Sequence, residues 1–300
     1  MTVLSPETIR QRLEETRAAV DAELDRLLPP AEEYPPSIHK AMRYSVFAGG
    51  KRLRPTLCVE AGRLFGGDEK RLLRLGSALE LIHTYSLIHD DLPALDNDDL
   101  RRGKPTSHVV FGEAAAILAG DALLTLAFEV MSGAEGAAAD GRLRIIHELA
   151  HAIGTRCGMV GGQVDDMLSE RQKPSLTKVL SIHRRKTGAL LLSSVHLSAL
   201  LAGVPRPKLE ALTRYGWAAG LAFQIVDDLL NETSDTKAMG KKAGSDRERG
   251  KMTFPAAIGL VKSKIEVNKL TGQAVRALKP FGEKGRPLRE LAIYMAQRTN

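Results

Sequence analysis

Apolar residues recur at helical spacing along almost the whole chain. Leu75, Leu79, Ile82 and Tyr85 fall at i, i+4, i+7 and i+10, one face of a long apolar helix that ends at Asp90. Ser5-Pro6, a capping hydroxyl followed by proline in the first turn, predicts the first helix start. Pro29-Pro30 ends that helix and Pro35-Pro36 begins the next. Further breaks are predicted at Gly66-Gly67, between Gly133 and Gly141, at Lys173-Pro174, at Pro205-Arg206-Pro207 and between Pro280 and Pro287. No segment alternates convincingly with period 2, so no strand is expected. Neither a linker, a composition shift nor a fixed-period repeat divides the chain, which predicts one all-α domain over 1–300.

Composition supports this reading. Leu and Ala dominate and aromatics make up only 4%, which favours packed helices over strands. Leu190–Val204 is the most apolar run, but it is short and carries Ser193, Ser194 and His196, so it reads as a buried core helix. No transmembrane span is expected. Met1 to Leu28 carries Glu7, Arg10, Arg12, Glu14 and Glu15, unlike a secretory signal. Cys58 and Cys157 are far apart and form no CxxC, which argues against a disulfide scaffold or zinc ribbon and for a cytoplasmic location.

The net charge is +7. Its basic residues are scattered and sit beside acidic clusters, with no Lys/Arg tract interleaved with aromatics. Nucleic-acid binding is therefore not expected, and small anionic substrates explain the balance.

Two acidic segments lie in otherwise apolar stretches, Asp90-Asp91-Leu92-Pro93-Ala94-Leu95-Asp96 and Asp227-Asp228-Leu229-Leu230-Asn231. Two like charges ~4 Å apart repel by roughly 4 kcal/mol at an effective dielectric near 20. Divalent cations held by oxygen ligands remove that cost. Gln224, Asp227, Asp228 and Asn231 share one helical face, either a solvated stripe or a cavity wall. Their apolar neighbours favour the wall. His83, Ser86 and Asp90 share a face in the same way, with Asp91 beside them. Pro93 lets Asp96 swing back toward Asp90. Carboxylates at a helix C-terminus oppose the helix dipole, and a bound cation would explain them there. Basic groups accompany both clusters: Gly49-Gly50-Lys51-Arg52-Leu53-Arg54, Arg101-Arg102-Gly103-Lys104, Lys186-Thr187-Gly188, Lys241 and Lys251. Carboxylate, metal and cation together suit a diphosphate.

Taken together, these segments resemble the trans-polyprenyl diphosphate synthase family over about residues 40 to 260. The matching pieces are GGKRLRP (49–55), IHTYSLIHDDLPALDNDDLRRGKPT (82–106), LAGDALLTLAFE (118–129), GGQVDD (161–166), KTG (186–188), FQIVDDLLN (223–231) and MGKKAGSD…GKMTFP (239–255). The resemblance implies a helical bundle around a central cavity, the isoprenoid synthase fold, and a homodimer. It implies three magnesium ions when substrate is bound, with Asp90, Asp96 and Asp227 as ligands and Asp91 and Asp228 in support. Arg101, Lys186, Thr187, Gln224, Lys241 and Lys251 match positions around an allylic diphosphate. Lys51, Arg54, His83 and Arg102 match those that hold isopentenyl diphosphate. The implied reaction ionises the allylic diphosphate and joins the cation to isopentenyl diphosphate; loss of a proton then leaves a trans double bond.

Residues just upstream of the first motif floor the tail cavity in this family. Tyr85 and Ser86 occupy those positions, and a bulky Tyr85 resembles the farnesyl-producing group. The expected enzyme is thus a farnesyl diphosphate synthase, with a geranylgeranyl diphosphate synthase as the alternative. Asn231 departs from the family, where aspartate is usual, and keeps open a catalytically impaired regulatory paralogue. A terpene cyclase would have no use for GGKRLRP and His83.

Overall fold

The computed structural model describes residues 6–133, 139–233 and 244–298. Four helices open the chain: α1 (Pro6–Leu27), α2 (Pro36–Val46), α3 (Leu53–Arg63) and α4 (Glu69–Asp90). Ser5, the expected cap of α1, lies outside the described residues. At α4 the side chain of Asp68 accepts a hydrogen bond from Arg71 N at 3.0 Å, a satisfied N-cap. The helix stops where Pro93 prevents its continuation, and Asp96 N donates back to Asp90 O at 2.8 Å. The predicted return of Asp96 toward Asp90 is therefore a backbone turn.

The expectation of no strand is corrected at one place. Leu100–Arg101 (β1) and Lys104–Pro105 (β2) pair antiparallel, Leu100 opposite Pro105 and Arg101 opposite Lys104. Arg102 (φ 54°) and Gly103 (φ 75°) form the tight turn between them. Two-residue strands are too short to show a period in sequence.

The chain continues with α5 (Ser107–Phe111), α6 (Glu113–Ser132), α7 (Ala139–Ile153), α8 (Met159–Leu168) and α9 (Leu176–His183). A π-turn over Arg184–Gly188 joins α9 to α10 (Ala189–Leu201), and α11 (Arg206–Thr233) follows. Beyond it come α12 (Ser245–Arg249), α13 (Phe254–Ile258), α14 (Leu260–Ala277), a 3-10 segment (Lys279–Gly285) and α15 (Arg286–Gln297). The proline and glycine breaks fall in or beside the connections between these elements.

The long helices wrap one another. α4 packs along α6, α11 along α14, and α10 against α3, α7 and α11. Ala189 to Ala199 of α10 are buried on every side, with Ser194 Oγ bonded to Leu190 O and Ser198 Oγ to Cys58 O, each at 2.9 Å. The core-helix reading of that run holds as far as Leu201, where the helix ends; Ala202 and Gly203 are exposed. α6 has a mean hydropathy of 1.7 and by length and composition could cross a membrane. Glu113, Asp121 and Glu129 interrupt its apolar run. Ala116, Ala119, Leu123 and Ala127 of α6 are buried in the core that it shares with α4.

Candidate active site

Several parts of the fold converge on one cavity of about 400 Å³. α4 contributes His83, Ser86 and Asp90; the turn and hairpin after it contribute Asp96, Arg101 and Arg102. The π-turn supplies Lys186 and Thr187, and α11 supplies Gln224, Asp227 and Asp228. Arg54 comes from the first turn of α3, and Lys251 from the segment after α12. The two acidic motifs, remote in sequence, therefore line the same cavity.

Three expected residues stand outside that lining. Lys51 is exposed, and burial of its stem together with the Arg298 charge lowers its pKa. Asp91 is buried, both its oxygens accepting from Arg101 Nε at 2.8 and 2.7 Å. Tyr85 is also buried, its ring edge-on to His89 at 5.6 Å. Lys241 lies outside the described residues.

The acids fall into distinct environments. Burial raises the pKa of Asp90, opposed chiefly by Lys186. Its carboxylate makes no hydrogen bond or ion pair among the described residues. Asp96 is held by Lys251 at 2.9 Å and Arg249 at 2.8 Å. Although burial works against it, those cations and Lys186 leave its pKa lowered. Asp228 is fixed deeper: it accepts from Phe254 N at 2.9 Å and Gln224 Nε2 at 3.3 Å, and lies 3.4 Å from His183. Desolvation pushes its pKa well up. The same burial pushes neutral His183 down to about 3. Asp227 pairs with Arg298.

A cationic group lines the same cavity. Burial lowers Arg54 to about 10, with the Arg102 and Arg298 charges acting in the same direction. Burial, then the Arg54 and Arg102 charges, hold His83 well below its usual value, so it is a neutral imidazole. Arg54 Nε and both amide atoms of Gln163 are buried with no protein partner among the described residues. Buried polar groups left this way need a ligand or water, and an anion suits Arg54. By contrast Arg52, beside them in sequence, turns inward to Asp21 at 2.7 Å and Glu80 at 2.8 Å. That arginine is structural.

Several site residues escaped the sequence reading. Asp166 accepts from Lys186 at 2.7 Å and lies 3.5 Å from Lys251, so it fixes both cations. GGQVDD (161–166) marked the segment but not the role. Arg249 clamps Asp96 and Asp98, and Arg298 caps Asp227; no local pattern announces either.

The donor set suits hard cations, because the acids are all oxygen ligands facing a shared cavity. Among the described residues no three acidic, histidine or cysteine groups already stand close enough to hold an ion. Lys251, Arg249 and Arg298 neutralise Asp96 and Asp227 instead.

A polyprenyl synthetase family model matches residues 35–280. The chain belongs to the polyprenyl synthetase family. It is 46% identical over 297 residues to the dimethylallyltranstransferase of Fischerella ambigua, covering 98% of this chain and 84% of that protein. Geranylgeranyl pyrophosphate synthase 4 of Arabidopsis thaliana is 45% identical over 285 residues, 94% of this chain and 76% of the relative. An FPP/GFPP synthase structure from Zymomonas mobilis superposes with a TM-score of 0.86 at 38% identity, covering 96% and 99% of the two chains. The protein is thus a short-chain trans-prenyltransferase with the all-α isoprenoid synthase fold.

Proposed function

We propose that this prenyltransferase makes farnesyl diphosphate from isopentenyl diphosphate and a dimethylallyl or geranyl primer. The observation carrying the assignment is the shared cavity, lined by acids from α4 and α11 together with Arg54, His83 and Arg102. Asp90, Asp96 and Asp227 would hold magnesium, three ions with substrate present, while Asp91 and Asp228 keep Arg101 and Gln224 in position. Bound magnesium would supply charge neutralisation for the diphosphate as it leaves.

The chain's own groups do the rest. Lys186, Lys251, Arg101, Thr187 and Gln224 receive the allylic diphosphate, and Lys241 joins them by motif position. Arg54, His83 and Arg102 receive isopentenyl diphosphate, with Lys51 at the entrance. His83, being neutral, donates a hydrogen bond without adding charge. Leu87, Met159, Ile182, Phe223 and Met252 give the cavity apolar surface that excludes water, which would quench an allylic cation. Tyr85 and Ser86 limit tail length; Ser86 lines the cavity and Tyr85 packs directly behind that turn.

We also assign a homodimer in the cytoplasm. Val109, Val110, Ile117, Leu118, Leu143, Val160, Val164, Met167 and Leu168 are exposed along α5 to α8, and a second copy would cover them. Both cysteines are free and Cys157 is exposed, as a reducing compartment allows.

Turnover tests the assignment. Purified protein, magnesium, isopentenyl diphosphate and either primer should yield fifteen-carbon chains by chromatography after dephosphorylation. A twenty-carbon end product would favour the geranylgeranyl reading, to which the Arabidopsis relative's name also points. No condensation product with any primer would support the impaired paralogue.

A further inference from the structure

A second cavity of about 590 Å³ opens between α11, α14 and the 3-10 segment, with Arg184 of the π-turn at its edge. Its floor is apolar: Trp217, Ala218, Leu221, Leu270 and Ala277. Arg184, Arg214, Arg276 and Lys279 surround that floor, and among the described residues no acidic one lines it. Elsewhere most arginines of this protein are paired with carboxylates. These four cations are exposed, except that their stems reach the groove, and make no hydrogen bond or ion pair among the described residues. Like charges gathered on an apolar surface repel one another unless an anion joins them.

We propose that this groove binds an isoprenoid diphosphate at a site separate from the catalytic cavity. The tail would lie on Trp217 and Leu221, and the diphosphate would take the guanidinium forks of Arg184, Arg214 and Arg276. The volume falls in the range of about 300–1,000 Å³ usual for small-molecule sites. The ligand class follows from the prenyltransferase reading, because this enzyme's own reaction yields such molecules.

The groove is mechanically joined to catalysis. Trp217 packs against the π-turn so closely that a Cβ on Gly188 would lie 3.1 Å from Trp217 Cζ3. That same turn carries Arg184 to the groove, and Lys186 and Thr187 to the catalytic cavity. A ligand pressing on Trp217 and Arg184 acts on the segment that positions Lys186. The site therefore gives product a path to slow turnover without competing for the allylic pocket.

Trp217 is the chain's single tryptophan, so its fluorescence reports this groove directly. The test uses full-length protein with Asp227→Asn in EDTA, which removes metal-dependent binding in the catalytic cavity. Farnesyl diphosphate should give a saturable change in emission, and Arg214→Ala/Arg276→Ala should weaken it by about tenfold or more, since each charged hydrogen bond is worth about 1.5–3 kcal/mol. These two arginines have no protein partner to lose, so the variant should fold; its circular dichroism and melting curve should match the parent. Isothermal calorimetry on Trp217→Phe should retain binding, because the ring's apolar face remains. The idea is overturned by an absent response, by one unchanged in the double arginine variant, or by farnesol binding as tightly as the diphosphate. A wild-type protein that makes no product but keeps the arginine-dependent response would sink the catalytic reading and leave this site standing.

Discussion

Arg298 closes over Asp227: its guanidinium pairs with the carboxylate and lies 3.9 Å from the centroid of the Phe223 ring. It also donates to Phe223 O at 3.3 Å. A proposed metal ligand is thus neutralised by a protein cation, which must move for an ion to bind there. The same charge lowers Lys51 and Arg54.

Arg298→Ala should therefore reduce the magnesium needed for half-maximal rate. Asp227 is part-exposed, and such a pair contributes about 0.2–1 kcal/mol. The expected shift is about two- to fivefold at most. A variant that needs more magnesium would show that Arg298 assists turnover.

Asn231→Asp places a charge where the family usually has one. Asn231 is buried, and its Oδ1 accepts from Asp246 N at 3.3 Å. Asp228, three residues earlier on the same helix, is already raised by burial. The new carboxylate should lower the melting temperature in EDTA and enlarge the rise on adding magnesium, since a ligand binding only the native state stabilises it. Equal magnesium-induced shifts in both proteins would separate this position from the metal site.

Tyr85→Ala should lengthen the product. The ring is nearly buried against His89, at the end of α4 that reaches the cavity. Removing a large core side chain costs about 3–5 kcal/mol, so product should be analysed at low temperature. Product chains still fifteen carbons long would place the floor elsewhere.

His83 sets an acid limit on stability. Its folded pKa is depressed, so below its unfolded value of about 6.5 the unfolded chain binds a proton that the native state refuses. Stability present above that pH is lost as pH falls through it. In urea titrations, wild type should lose stability faster than His83→Asn between about pH 6.5 and 5, by up to about 1.4 kcal/mol per pH unit for one proton. Parallel slopes would mean that His83 titrates normally.

Much of this protein was legible one residue after another. Helical periodicity, proline and glycine breaks and the two acidic stripes depend on neighbours within two turns, so the all-α architecture and Asp90, Asp96, Asp227 and Lys186 could be named from spacing and motif. Residue type also pointed to a small anionic ligand. What a side chain faces is different, because it depends on elements brought together from distant parts of the chain. Arg52 and Arg54 look equivalent in GGKRLRP, yet one turns to Asp21 and Glu80 while the other faces the cavity. Lys186 finds Asp166 20 residues away, and Arg298 finds Asp227 71 residues away. Partner choice among like charges follows from helix packing, and only the tertiary structure decided it.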